Sequence, residues 1–313
     1  MPKGKAVQEI RGVFAALATP RRLNSTEIDS AAFFDYQDAV VRAGVDGVVL
    51  FGSTGEFVHF SVADRIQAVS LLMKRGRVPL LVNVSHSTLE GTLAIAESAL
   101  MAGAAGLLVM PPYFYRYSEG QLHAFFSEVA QLLPGESRLL LYNLPFFTNP
   151  LSFPLIERLL HSGQYAGIKD SSGEYELFQQ LSALRREHPF IWFAGNELLF
   201  LQARRANADG IISGVAGALP ELLVALDRSI TAGDPDSASA LNRLLTDFLT
   251  WLERFPATVA IKQAAAVRGW KLNHSAFGFD EATNRDIKLF RSWLEKWLPL
   301  MLSECAQRSA MKA

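Results

Sequence analysis

Residues 138–171 read RLLLYNLPFFTNPLSFPLIERLLHSGQYAGIKDS. Two apolar runs stand out in that stretch, 138–145 and 166–171, and their starts lie 28 residues apart (166 − 138), the span of one strand–helix unit. Six more runs of the same kind occupy 13–20, 46–52, 80–85, 106–112, 190–196 and 210–214. Successive starts are roughly 20 to 34 residues apart throughout. Most runs are too uniformly apolar to have one wet face, which is the mark of parallel strands covered on both sides. Between them lie amphipathic segments with helix stop signals: 26–43 before Gly44, 61–75 before Gly76, 88–102 before Gly103, and 118–133 before Pro134. Eight such units in an α/β chain predict a closed (β/α)8 TIM barrel rather than an open doubly wound sheet. Thr19-Pro20-Arg21-Arg22 follows the first run, where a dinucleotide fold would carry Gly-x-Gly-x-x-Gly.

Beyond Gly233 the strand pattern stops. Segments 237–254, 258–268 and 281–301 read as a C-terminal extension of three helices. The last carries Leu289, Trp293, Trp297 and Leu300 at helical spacing, a packing seam against the barrel or a neighbouring subunit. The expected organisation is a barrel carrying the active site over 1–233 and a helical region over 234–313.

Composition narrows the function. Half the residues are hydrophobic and 19% are charged, a balance that builds a core and rules out disorder. A net charge of −1 gives no positive field for nucleic acid or an anionic membrane surface. The lone cysteine, Cys305, excludes an internal disulfide and a cysteine zinc cluster. The histidines, His59, His86, His123, His161, His188 and His274, show no metal-ligand spacing, and neither a Gly-x-Ser-x-Gly elbow nor a Walker loop occurs. Met1-Pro2-Lys3-Gly4-Lys5 leads into no apolar signal segment, and the most apolar stretch, 99–113, is broken by Gly103, Gly106, Pro111 and Pro112. These features predict a soluble cytoplasmic protein with no metal and no organic cofactor.

Catalytic groups of such a barrel project from the C-terminal ends of the strands and the loops after them. Lys169 is the one lysine at the mouth end of an apolar strand; Lys3, Lys5, Lys74, Lys262, Lys271, Lys288, Lys296 and Lys312 fall on termini, helices or loops. Desolvation at a mouth position disfavours an ammonium, and a Schiff base requires the neutral amine. On position alone a salt bridge to Asp170 or Glu174 is an equal reading. Tyr142 ends the neighbouring strand, where its phenol can pass a proton to a carbinolamine or a substrate hydroxyl, though a barrel tyrosine hydrogen-bonded to backbone is an equal reading. Gly52-Ser53-Thr54-Gly55-Glu56 offers hydroxyls and backbone N–H groups just before a helix, a cradle for a carboxylate or phosphate, though a simple tight turn reads the same way. His86, after the third run, reads as a polar loop histidine.

In combination these motifs resemble the dihydrodipicolinate synthase / N-acetylneuraminate lyase family of class I, Schiff-base aldolases. The resemblance runs from 15–20 to the C-terminal helices. It rests on Gly52-Ser53-Thr54-Gly55-Glu56, on Tyr142-Asn143-Leu144-Pro145, and on Gly167-Ile168-Lys169-Asp170-Ser171-Ser172-Gly173, in the family's order. Ala260-Ile261-Lys262-Gln263-Ala264 is similar to a C-terminal family motif and is read as structural. The resemblance implies Lys169 as the Schiff-base lysine and Tyr142 as the proton-shuttling phenol. Ser53 and Thr54 would hold the carboxylate of a 2-oxo acid such as pyruvate, and Ile212 would offer a backbone carbonyl. Gly195, Asn196 and Glu197 would lie where lyases of the family grip substrate hydroxyls. No cofactor beyond the covalent lysine imine is implied, and the assembly would be a homotetramer or homodimer.

Two positions depart from the family pattern. Phe147 stands where the synthases carry an arginine for the aldehyde's carboxylate, and a phenyl ring supplies no N–H donors. Phe114, between Tyr113 and Tyr115, stands where a relay tyrosine is lent by a neighbouring subunit. The expected activity is cleavage or dehydration of a 2-oxo acid, such as a 2-keto-3-deoxy sugar acid, in a pocket without an anion clamp that also suits an aromatic aldehyde. The alternatives are 4-hydroxy-tetrahydrodipicolinate synthesis from pyruvate and aspartate semialdehyde, with Arg116 replacing the lost arginine, and a catalytically impaired ligand-binding barrel.

Overall fold

A computed structural model describes residues 9–272 and 275–310. Lys3, Lys5, His274, Lys312 and the first five residues, all weighed above, lie outside the described residues. Eight parallel strands close in sequence order: β1 (Gly12–Ala16), β2 (Gly47–Leu50), β3 (Leu80–Asn83), β4 (Gly106–Val109), β5 (Leu139–Asn143), β6 (Gly167–Asp170), β7 (Ile191–Ala194) and β8 (Gly210–Ser213), which pairs back onto β1. The architecture is the (β/α)8 barrel that the run spacing predicts. Each strand is shorter than its apolar run, because the run continues into the loop at the barrel mouth.

The helices are α1 (Ser30–Arg42), α2 (Val62–Met73), α3 (Leu89–Met101), α4 (Glu119–Leu132), α5 (Phe153–His161), α6 (Tyr175–Glu187), α7 (Phe200–Arg205), α8 (Val215–Ala218), α9 (Pro220–Thr231), α10 (Pro235–Leu252), α11 (Ala257–Val267) and α12 (Glu281–Ala310). Their starts follow capping chemistry. Ser61 and Ser118 each form a reciprocal capping box, with Asp64 and Gln121 respectively. The first helix starts four residues later than position 26 because Asp29 caps it, accepting from the Ala32 amide at 3.0 Å. The last helix runs on through Pro299 to Ala310 instead of ending near 301. Met301 and Cys305 are buried there and Arg308 donates to Ser237 Oγ at 3.0 Å, which anchors the extra turns. Burial pushes the Cys305 thiol up to about 12, so it is no nucleophile.

The aromatic stripe of α12 packs on α10 rather than on the barrel: Trp293 lies 5.5 Å from Trp251, and Trp297 lies 6.3 Å from Phe248. Leu289 and Leu300, at the flanks of the stripe, are exposed. Inside the barrel, Phe14 and Phe193 meet edge to face at 5.2 Å. Phe14 fits only because Gly47 is bare: a Cβ there would sit 2.1 Å from the Phe14 ring. Among the described residues no helix is long and apolar enough to cross a membrane.

Candidate active site

Alternation along a strand decides which side chains enter the barrel. In the β5–β6 ladder Tyr142 is the register partner of Lys169, and Asn143 of Asp170. Lys169 and Tyr142 turn inward, and the Lys169 ammonium nitrogen sits 4.1 Å from the centre of the Tyr142 ring. Asn143 and Asp170 form a brace behind them. Asn143 Nδ2 donates to Asp170 Oδ1 at 2.8 Å, while Asn143 Oδ1 accepts from the Leu151 amide at 3.1 Å. Burial raises the Asp170 carboxyl above its usual range, against hydrogen bonds from Asn143 and Ser172 that favour the anion. Asp170 therefore serves the strands, and the alternative of a Lys169–Asp170 salt bridge is not realised.

The turn after β2 faces this pair. Ser53 Oγ and the Tyr142 hydroxyl are 3.1 Å apart, within hydrogen-bonding distance. The turn is closed by the Glu56 amide donating to Ser53 O at 3.0 Å, and Thr19 Oγ1 donates to Gly55 O at 2.7 Å from the end of β1. No α-helix starts directly behind it. A single 3-10 turn over Phe57–His59 intervenes and α2 begins only at Val62. The expectation of a helix N-terminus directly behind the turn is therefore corrected: a helix dipole acts only near its first turn, which leaves the hydroxyls and turn amides as the polar groups there.

All eight residues singled out from the sequence line one cavity of about 320 Å³ at the barrel mouth. The turn residues Ser53 and Thr54, the strand residues Tyr142, Lys169 and Ile212, and Gly195, Asn196 and Glu197 after β7 share its lining. Asn196 Oδ1 caps the short turn after β7 by accepting from the Leu198 amide at 3.0 Å, and Glu197 Oε1 accepts from Ser213 Oγ at 2.6 Å. His86 is outside the cavity: its Nδ1 accepts from the Thr88 amide at 3.1 Å, as a loop histidine would.

Ser171 and Lys169 together leave no room for a side chain at 195. A Cβ there would lie 2.0 Å from Ser171 Oγ and 2.8 Å from Lys169 Cε. Gly195→Ala is expected to shift the lysine by a few tenths of an ångström and cut kcat/KM by roughly 10- to 100-fold, since small misplacements of a reacting group are costly. Steady-state kinetics beside a thermal melt checks this; unchanged kinetics would mean that the amine position is unimportant.

Several lining groups escaped the sequence reading. Ser171 lines the cavity, is 8% exposed, and its hydroxyl has no hydrogen-bond partner, so it is an available donor two residues from Lys169. Its place after the lysine on β6 was the available signal. Leu249, Leu252 and Glu253 of α10 and its end, and Ile261 of α11, close the outer side. Nothing local in their sequence marks them. Lys262, next to Ile261, is only 1% exposed and pairs with Glu56 at the end of the Ser53–Thr54 turn. Burial holds its ammonium below the usual lysine range, with Glu56 opposing that shift. Among the described residues Lys169 is thus one of two buried lysines, and the C-terminal extension is tied to the mouth of the barrel. Lys262→Met leaves the Glu56 carboxylate buried without this partner and is expected to cost about 3–5 kcal/mol of stability. Adding Glu56→Gln should recover much of that loss in a denaturant titration; an unaltered midpoint for the single variant would refute the role of the pair.

A second cavity of about 240 Å³ adjoins the first and shares Ser53 and Leu144 with it. Phe57, Met110, Tyr113 and Phe147 give it an apolar lining. Arg116 lines neither cavity; it is exposed and donates to Thr148 O at 3.2 Å. Phe114 adopts φ 87° and is 87% exposed against Tyr115, so neither ring reaches Tyr142 within this chain. Among the described residues no group of three His, Cys, Asp or Glu side chains is placed to hold a metal ion.

Comparison with known proteins adds a consistent set of relatives. A profile of the dihydrodipicolinate synthetase family matches residues 9–277. The chain is 33% identical over 275 residues to a 4-hydroxy-tetrahydrodipicolinate synthase of Salinibacter ruber, covering 84% of this chain and 87% of that one. It is 30% identical over 262 residues to an uncharacterised DapA-like lyase of Chloroflexus aurantiacus, covering 80% and 86%. In fold it is similar to YagE, a prophage protein of the dihydrodipicolinic acid synthase family from E. coli K12 solved in complex with pyruvate, with a TM-score of 0.84, 24% identity, and 93% and 98% of the two chains covered.

Proposed function

Because this chain belongs to the dihydrodipicolinate synthetase family, whose members are lyases of the Schiff-base aldolase type, we propose that it cleaves or dehydrates a 2-oxo acid through an imine on Lys169. The observation that carries this reading is the placement of the Lys169 amine 4.1 Å from the Tyr142 ring, with the Tyr142 hydroxyl 3.1 Å from Ser53, in one cavity.

The neutral amine attacks the C2 ketone, and loss of water leaves a protonated imine. That cation is an electron sink for the bond at C3. In cleavage, Tyr142, left as the phenolate after giving its proton to the departing water, takes the C4 hydroxyl proton, the C3–C4 pair flows into the enamine, and an aldehyde departs. In dehydration, a proton leaves C3 and the C4 hydroxyl leaves as water. After cleavage the enamine is protonated at C3, after dehydration a conjugated imine remains, and hydrolysis of the imine returns the free lysine in both cases. Ser53 and Thr54 hold the carboxylate through hydroxyl and backbone N–H groups, and Ile212 offers its carbonyl. Asn196 and Glu197 accept or donate hydrogen bonds to substrate hydroxyls, which supports a 2-keto-3-deoxy sugar acid as substrate. Pyruvate is the corresponding three-carbon partner, as in the complex of the E. coli relative. The chemistry needs no cofactor beyond the imine. We take the enzyme to be cytoplasmic and to assemble as a homotetramer or homodimer, with the exposed Phe114, Tyr115 and Phe146 rings available for contact between copies.

The synthase reading, carried by the name of the Salinibacter relative, is opposed by Phe147 and by the position of Arg116. Borohydride reduction in the presence of pyruvate, followed by peptide mass spectrometry, tests the proposal. A reduced three-carbon adduct on Lys169 is expected. Its absence would remove the enzyme reading and leave the ligand-binding barrel.

A further inference from the structure

Among the described residues four cationic side chains are buried: Arg21, Arg65, Lys169 and Lys262. Lys169 is the imine lysine of the reading above. The other three lie around the turn that carries Ser53 and Thr54, each sent from a different part of the chain. Lys262 of α11 pairs with Glu56 at the end of the turn. Arg65 of α2 donates to Asn83 O at 2.5 Å and to Ser85 O at 2.9 Å, and Asn83 Nδ2 in turn donates to Phe51 O at 2.7 Å. The Arg65 guanidinium lies 5.8 Å and 5.1 Å from the centres of the Phe51 and Phe57 rings, which bracket the turn in sequence. Arg21, in the loop after β1, lies 4.3 Å from the centre of the Phe60 ring, and that ring meets Phe51 edge to face at 6.0 Å.

Among the described residues neither arginine is within ion-pair distance of a carboxylate. Arg21 Nε and Nη2 and Arg65 Nε are buried without a hydrogen-bond partner. Burial holds the Arg65 guanidinium down at about 10, so it is still a cation at neutral pH. A guanidinium buried without a carboxylate costs folding free energy, and this chain incurs that cost twice beside one turn. The carboxylates that line the lysine cavity, Glu197 and Glu253, oppose an anionic ligand. A fixed cation behind a low-dielectric aromatic wall counters them without rearranging when the ligand arrives.

We propose that Arg21 and Arg65 determine specificity for the 2-oxo acid: lining neither cavity, they act through their charge, so that the Ser53–Thr54 turn selects a carboxylate over an uncharged group. They do from the side what a helix dipole behind the turn would have done. This deepens the Lys169 imine reading and rests on it.

The test measures borohydride trapping on the full chain against the concentration of pyruvate and of pyruvamide, its uncharged isostere. The unaltered protein is expected to prefer pyruvate, and to keep that preference in added salt, since buried charges are screened little. Arg21→Met and Arg65→Met should each raise the pyruvate concentration for half-maximal trapping about tenfold and move that for pyruvamide by less than about twofold. A merely structural role would weaken both ligands alike. Arg65→Met strips the Asn83 and Ser85 carbonyls of their donor, so thermal melting accompanies it. Arg21→Met gives up one hydrogen bond, to Thr26 O at 3.1 Å, and decides the question if Arg65→Met does not fold. Equal losses for the two ligands, no loss for either in a folded variant, or no preference in the unaltered protein overturns the charge selection alone. Failure of pyruvate to be trapped by the unaltered protein overturns the imine reading, and this inference with it.

Discussion

Lys169→Met is expected to abolish imine trapping and lower turnover by on the order of 10⁴-fold or more, while the protein melts no earlier than the unaltered chain. The chemical half follows from the loss of the attacking nitrogen, because no thioether forms an imine. The stability half follows from the surroundings. Lys169 is 4% exposed and, among the described residues, makes no ion pair. Seating an amine there without an anionic partner costs folding free energy, and methionine of similar volume removes that cost with little repacking. What is given up is the contact with the Tyr142 ring, worth about 0.5–2 kcal/mol where such a contact is cationic. Activity and thermal melting are measured side by side. A variant that loses several kcal/mol with its activity would make Lys169 a structural residue, and one that keeps activity would remove it from the reaction.

Tyr142→Phe separates the phenol from the amine. The substitution keeps the ring beside Lys169 and deletes only the hydroxyl that Ser53 meets at 3.1 Å. Proton transfer at C4 then loses its positioned group, and kcat is expected to fall by about 10²–10⁴-fold. Borohydride trapping with pyruvate should persist, because the lysine is untouched. Ser53→Ala, which leaves the phenol but removes its neighbour, should cost less than Tyr142→Phe. If Ser53→Ala proved the more damaging, the hydroxyl at 53 would be the proton-handling group. Since Phe114 is turned to solvent, the Ser53–Tyr142 contact is the route from the phenol that this chain itself provides.

The barrel was legible because its signals are local. A parallel strand buried on both faces reads as an apolar run, and a capped helix announces its start within four residues. Lys169 and Tyr142 were legible for the same reason: each interrupts the end of an apolar strand, and strand ends face the mouth. The cradle was misjudged in one respect. Phe57–His59 form a 3-10 turn before the capping box at Ser61, so the hydroxyls at 53 and 54 stand without a helix dipole. The end of α12 was also misplaced, because Met301 and Cys305 find burial that a helical wheel does not reveal.

The sequence by itself determined the strand–helix repeat, the inward lysine and phenol, and the missing arginine at Phe147. Tertiary structure decided what meets them. Lys262 lies 206 residues from its partner Glu56, and Ile261 and Glu253 arrive from helices that follow the last strand. The direction of the second cavity, too, depends on three loops that converge only when the barrel closes. Periodicity records which face of an element is buried, and that is settled within a few residues. Which distant face it is buried against depends on long-range packing, which leaves no period in the chain.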